Sequence, residues 1–139
     1  MIGQIELVLK RLIWLRDNLN AIIQEAVIKE RKFIADLNKD QLRKGEKSDG
    51  SDMPNYVANS KSPSAPGKIK LFDTGDFYDG ITPIVEEDEF DMIGFDEKTN
   101  LLTWKYGNEI LGLSEESIDK LRIHLKPKIE ALIIKKMEI

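Results

Sequence analysis

Between Gly3 and Leu37 apolar side chains stand at Ile5, Val8, Leu9, Leu12, Leu15, Leu19, Ile22, Ile23, Ala26, Val27, Phe33, Ile34 and Leu37. Steps of three and four residues sustained over this distance are the pattern of one helix face. No proline interrupts the run. The spacing predicts a long helix over residues 1–37, with a bend or division at Asp17-Asn18-Leu19-Asn20, where helix propensity is weak. The stripe is wider than a coiled-coil seam, which suits a helix that faces a core and also touches a neighbouring subunit. A chain of 139 residues with 41% hydrophobic content can bury one core, so a single domain over 1–139 is expected.

Periodicity then stops. Residues 38–70 are rich in Gly, Ser, Pro, Asn, Asp and Lys and read as an extended loop, with Ser62-Pro63-Ser64-Ala65-Pro66-Gly67 favouring turns. A connection this long exceeds the usual ~12–15 residues, which makes it a candidate for ordering against a partner. Residues 71–106 are expected to hold a small antiparallel sheet. Short strands are predicted near 68–72, 82–87 and 90–95, and Leu101 to Tyr106 is predicted as a return strand after the polar turn 96–100. Ser114 has the character of an N-cap, with Glu115 and Glu116 in the first turn of a final helix over 114–138. Pro127 is expected to bend or break that helix. The fold class is therefore α+β: a long N-terminal helix and a C-terminal helix packed on a small antiparallel β-sheet, with a long central loop.

Charge and composition narrow the function. Residues 1–47 carry ten Lys or Arg against seven acids, whereas residues 48–100 carry four against twelve. The acidic middle argues against phosphate binding there. The absence of cysteine excludes a disulfide framework and thiolate metal sites, and suits a reducing compartment. Charges at Glu6, Lys10 and Arg11 interrupt the first apolar stretch before a signal-peptide core forms. No uncharged run approaches the roughly 18 residues of a membrane span, so no membrane partner is expected.

One motif points to chemistry. Leu71-Phe72-Asp73-Thr74-Gly75 is the local signature of a retropepsin-like aspartic protease, where two aspartates, one from each chain of a homodimer, share a proton and activate water. That reading needs an aspartate loop between strands, and the strongly helical ends of the chain weigh against it. Asp36, Asn38 and Asp40 have the first spacings of a calcium loop, but Gln41 and Lys47 stand where Gly and Glu belong. The run Glu86-Glu87-Asp88-Glu89 reads as a solvated edge, and the lone His124 as a satisfied or surface side chain. No catalytic residue, metal or cofactor is expected. Aromatic residues such as Phe77, Tyr78, Trp104 and Tyr106 are spaced like core or interface anchors.

Leu71-Phe-Asp-Thr-Gly-Asp-Phe-Tyr78, the strands that follow, and Trp104-Lys-Tyr-Gly-Asn-Glu-Ile-Leu-Gly-Leu-Ser114 together resemble a group of small tailed-phage virion proteins. Those proteins act in head–tail joining or tail completion. Asn38-Lys-Asp-Gln-Leu42 and the segment Gly45 to Gly50 are similar to segments of the same group, while Gly107-Asn108 replaces its Gly-Thr pair. The resemblance implies a non-enzymatic, ring-forming subunit at the portal–tail junction of the virion, assembled in the host cytoplasm. Its partners would be further copies in a homo-oligomeric ring and the portal or neighbouring neck and tail proteins, with genome DNA at most passing through the channel. In that setting Asp73 and Thr74 would bond backbone amides and Gly75 would supply a positive φ, so that the turn fixes Phe77 and Tyr78. Trp104 and Tyr106 would join them as interface residues.

Overall fold

The computed structural model describes residues 2–57, 61, 66–87 and 89–137. Its order is α1 (Ile2–Lys29), α2 (Arg31–Arg43), α3 (Asp76–Asp79), β1 (Ile81–Val85), β2 (Phe90–Gly94), α4 (Thr99–Tyr106), a 3-10 turn (Asn108–Ile110) and α5 (Glu115–Met137). The α+β class is as expected: long helices at both ends of the chain and a small antiparallel sheet.

The expected division near residues 17–20 does not occur. α1 runs unbroken through it, and the break falls at Glu30, whose φ and ψ of −106° and 21° leave the helical region. Two partners fix that point. His124 Nε2 and Lys128 Nζ of α5 each donate to the Glu30 carboxylate at 2.9 Å, and the His124 ring stacks on Phe33 with centroids 3.6 Å apart. Helix also continues beyond Leu37, to Arg43, so the expected loop begins later. From residue 44 that segment has order of its own: Glu46 bridges Asp52, Asn55 bridges Lys68, and Met53 is buried. Residues 58–60 and 62–65 of the expected loop lie outside the described residues.

The sheet is one hairpin, with Ile81 opposite Gly94 and Val85 opposite Phe90. Two further expected strands are not strands. Residues 69–72 form none, Lys68 making a single bridge, and Leu101–Tyr106 lies in α4. There Leu102 and Tyr106, one turn apart, pack inward, whereas Leu101 and Trp104 point to solvent. A Cβ on Gly94 would lie 2.5 Å from Thr99 Oγ1, so glycine at this position lets α4 start directly against the hairpin. Pro127 does not break α5: it is exposed, and the helix passes through it.

Burial divides into two adjoining clusters. Ala26, Val27, Ile34, Leu37, Leu121 and Leu125 join the second half of α1 to α2 and α5. Leu42, Met53, Phe77, Tyr78, Ile81 and Ile110 form the other, and Met92 of the hairpin packs against both.

Candidate functional site

The Asp-Thr-Gly motif is a tight turn feeding a helical turn. Gly75 has φ 91° and α3 follows immediately. A Cβ there would meet the Phe72 ring only at ordinary contact distance, 3.4 Å, so it is the positive φ and not crowding that calls for glycine. The turn is anchored from both sides: Asp79 N–H donates to Gly75 O at 2.9 Å, and Thr74 Oγ1 accepts weakly from Asp76 N–H at 3.4 Å. Leu71, just upstream, is the one non-glycine residue with positive φ among the described residues, at 58°. The expected amide bonds of Asp73 are absent: its carboxylate is exposed and bonds no described residue. Asp73 also does not lie between strands, because α3 separates it from β1.

Phe77 and Tyr78 are core residues and not a surface, at 4% and 2% exposure. Tyr78 Oη donates to Lys70 O at 2.6 Å, Phe72 meets its ring edge-on at 5.0 Å, and the Arg43 guanidinium lies 5.4 Å from its centroid. Burial pushes the Tyr78 phenol above its ordinary pKa, so it stays a neutral donor. Asp73, Thr74, Gly75, Phe77 and Tyr106 meet around an open recess of about 270 Å³, beside Lys98 and Leu102. Trp104 is not part of it. It is 82% exposed on the outer face of α4, near Leu101 at 62%.

The side chains that hold this end of the molecule together are ones the sequence did not flag as a pair. Asn38 and Gln41, one helical turn apart on α2, are buried and read the backbone of residues 110–114. Asn38 Nδ2 donates to Ile110 O at 3.0 Å and its Oδ1 accepts from Gly112 N–H at 2.8 Å. Gln41 Nε2 donates to Gly112 O at 2.9 Å and its Oε1 accepts from Ser114 N–H at 2.8 Å. All four amide positions are used, and Asn38 is thereby committed to the backbone and not to a cation. Lys47 adds a bond to Tyr106 O. The available signal was two amide residues at helical spacing beside Leu37 and Leu42.

Two surface features complete the inventory. Along the first part of α1 every residue from Gly3 to Ile13 is exposed, including Ile5 at 69%, Val8 and Leu9 at 55% and Leu12 at 58%. These four and Gln4 line one apolar strip. Farther along, Asn20, Ile23, Gln24 and Val27 form one wall of a groove of about 630 Å³, whose opposite wall is the hairpin with Val85, Phe90 and Met92 and whose rim carries Glu86, Glu87, Glu89 and Asp91. Among the described residues no group of three His, Asp or Glu side chains could hold a metal ion, and no helix is long and apolar enough to cross a membrane. No family model, curated protein or solved structure matches the chain.

Proposed function

We propose that the protein is a structural subunit of a tailed-phage virion, assembling into a ring at the portal–tail junction and acting in head–tail joining or tail completion. The observation that carries the assembly part is the apolar strip on the free end of α1. An exposed, contiguous row of Ile5, Val8, Leu9 and Leu12 is costly in water and marks a surface made to be covered. Head-to-tail contacts between identical copies close into rings when the rotation per subunit closes. The virion setting is supported by the resemblance of residues 71–78 and 104–114 to head–tail joining and tail-completion proteins. The two segments flank the recess at Asp73 and Tyr106, and the second is gripped by Asn38 and Gln41, from the third segment of the resemblance.

In this reading the Asp-Thr-Gly turn is architectural. Gly75 reverses the chain, Phe77 and Tyr78 enter the core, and the exposed Trp104 is left for a neighbouring ring or tail protein. The test is the mass of the purified protein by light scattering, with negative-stain imaging alone and after addition of portal-bearing particles. A ring, or density at the junction of those particles, is the expected result. A strict dimer that hydrolyses peptides, and loses that activity in Asp73→Asn with its fold intact, would replace this reading by the protease.

A further inference from the structure

β2 has one edge paired and one edge open. Glu86 N–H donates to Glu89 O at 2.7 Å, and Phe95 N–H donates to Gly80 O at 3.0 Å. These two bonds fix the phase of the ladder. Glu89, Asp91, Ile93 and Phe95 turn their main-chain groups toward β1, and the intervening Phe90 and Met92 turn N–H and C=O away from it. No third strand pairs with β2, and among the described residues neither the N–H nor the C=O of Phe90 or Met92 has a hydrogen-bond partner. The opposite edge of the hairpin is blunted. Pro83 stands directly across from Met92 at an outward-facing position of β1, with no N–H to offer, and α2 packs against that strand.

The open edge runs along the groove. The side chains of Phe90 and Met92 point to one face of the strand and that of Asp91 to the other, yet all three line the groove, so it follows the edge of β2 and not a single face. Its floor is apolar, with Ile23, Leu113 and Ile118 beside Phe90 and Met92. Its rim carries Glu86, Glu87, Glu89 and Asp91, all exposed and none in an ion pair with a described residue.

We infer that the outer edge of β2 takes up an extended segment of another protein as a third strand, a segment with apolar side chains at alternate positions and Lys or Arg at the positions between. Main-chain bonds to Phe90 and Met92 give the pairing, and the alternate side chains give the choice of partner. Those on the floor side meet Ile23, Leu113 and Ile118, and those on the other face lie beside Asp91, where a cation is favoured. A second copy of β2 is the wrong occupant, because edge-to-edge pairing would set its Glu89 and Asp91 against the same acids. The pairing requires neither the virion setting nor a ring, and it does not use the apolar strip of α1.

The probe is the peptide acetyl-Lys-Val-Lys-Val-Lys-Val-Lys-amide, titrated into the ¹⁵N-labelled full chain and followed by amide shifts and hydrogen exchange. In the free protein the Phe90 and Met92 amides should exchange much faster than those of Asp91 and Ile93, which bond to β1. Slow exchange at all four means that the edge is already covered and overturns the inference, as does protection that grows with protein concentration alone, which would assign the edge to a second copy. With peptide, Phe90 and Met92 should shift and become protected. No change at millimolar peptide, or changes confined to other residues, overturns the inference. Of two versions N-methylated only at the valines or only at the lysines, one should bind about tenfold more weakly and the other should not, because only one set of amides faces β2. Equal binding by both rules out strand addition. Glu89→Lys with Asp91→Lys, both on the surface, should weaken the lysine peptide by about tenfold and favour its glutamate counterpart. Unchanged preference removes the basic partner.

Discussion

The two halves of α1 are one helix with two fates. Both carry apolar residues at helical spacing, yet Ile22, Ala26 and Val27 are buried while Ile5, Val8, Leu9 and Leu12 stand in solvent. Hydrophobic periodicity therefore specifies a face and not what covers it. The second half is covered because α2, α5 and the hairpin reach it, tied by Glu25 to Lys136 and by Glu30 to His124 and Lys128. Among the described residues no ion pair or hydrogen bond ties Gly3 to Ile13 to another element, although the end of α5 reaches Lys10, Arg11 and Trp14, and the exposure of Ile5, Val8, Leu9 and Leu12 is what supports the proposed assembly.

The largest expected effect lies in the covered half. Ile22→Ala removes a side chain only 2% exposed and leaves a cavity, which should cost about 3 kcal/mol in a denaturant titration. A loss below about 1 kcal/mol would mean that the second half of α1 is not part of a close-packed core.

The covered half depends in turn on how α2 is held. Asn38→Ala withdraws both amide contacts from Ile110 O and Gly112 N–H and leaves those backbone groups without partners, which should cost roughly 2 kcal/mol. Hydrogen exchange should then show faster exchange at Gly112 N–H and unchanged exchange in the first turns of α1. Uniform acceleration along the whole chain would show that the 110–114 segment and the α1 seam unfold as one unit and not separately.

A smaller effect is expected at the α1–α2 break, and it should depend on pH. Hydrogen bonds from His124, and then from Lys128, hold the Glu30 carboxyl below its ordinary value of 4.5, and a bond from Lys136 does the same for Glu25. A folded-state pKa lower than the unfolded one stabilises the fold above the unfolded value. That contribution is lost as pH falls through the depressed folded value, so the seam should weaken below about pH 4.5. Glu30→Gln should be about 1 kcal/mol less stable than wild type at neutral pH, with the difference shrinking in acid. Equal losses at pH 7 and pH 3 would show that the carboxylate charge does not contribute.

The same contrast explains which parts were legible in the sequence. Helix positions with strong periodicity and the positive φ of Gly75 follow from local chemistry, whereas the sequence leaves Phe77 and Tyr78 as core or interface anchors and only the packing of the second cluster makes them core. Leu101–Tyr106 is helical although a short run such as Leu101-Leu102-Thr103-Trp104 fits a strand as well as a helix, and only packing of Leu102 and Tyr106 against the second cluster decides. Asn38 to Arg43 has loop-like composition, yet it is helical because Asn38 and Gln41 exchange hydrogen bonds with a segment more than seventy residues away. The break at Glu30 has the same origin, in side chains of α5. Of the expected site residues, the turn and Tyr106 come together, whereas Trp104 faces away, a difference fixed by the helical phase of α4.

The smallest expected effect is the sharpest test of the comparison. Leu9→Ala makes in the free half a truncation of the same kind as Ile22→Ala in the covered half, on the same continuous helix. In dilute, monomeric protein its cost should stay below about 0.5 kcal/mol, since a surface truncation leaves no cavity. In the proposed assembly the same variant should self-associate more weakly, because the apolar area it removes would be buried between copies. Stability is read from denaturant melts below the association range, and association from light scattering above it. If Leu9→Ala destabilises the dilute protein as much as Ile22→Ala does, the strip is already covered within one chain, and the two halves of α1 do not differ. If it changes neither quantity, the strip is exposed but unused, and its exposure gives no reason to expect assembly.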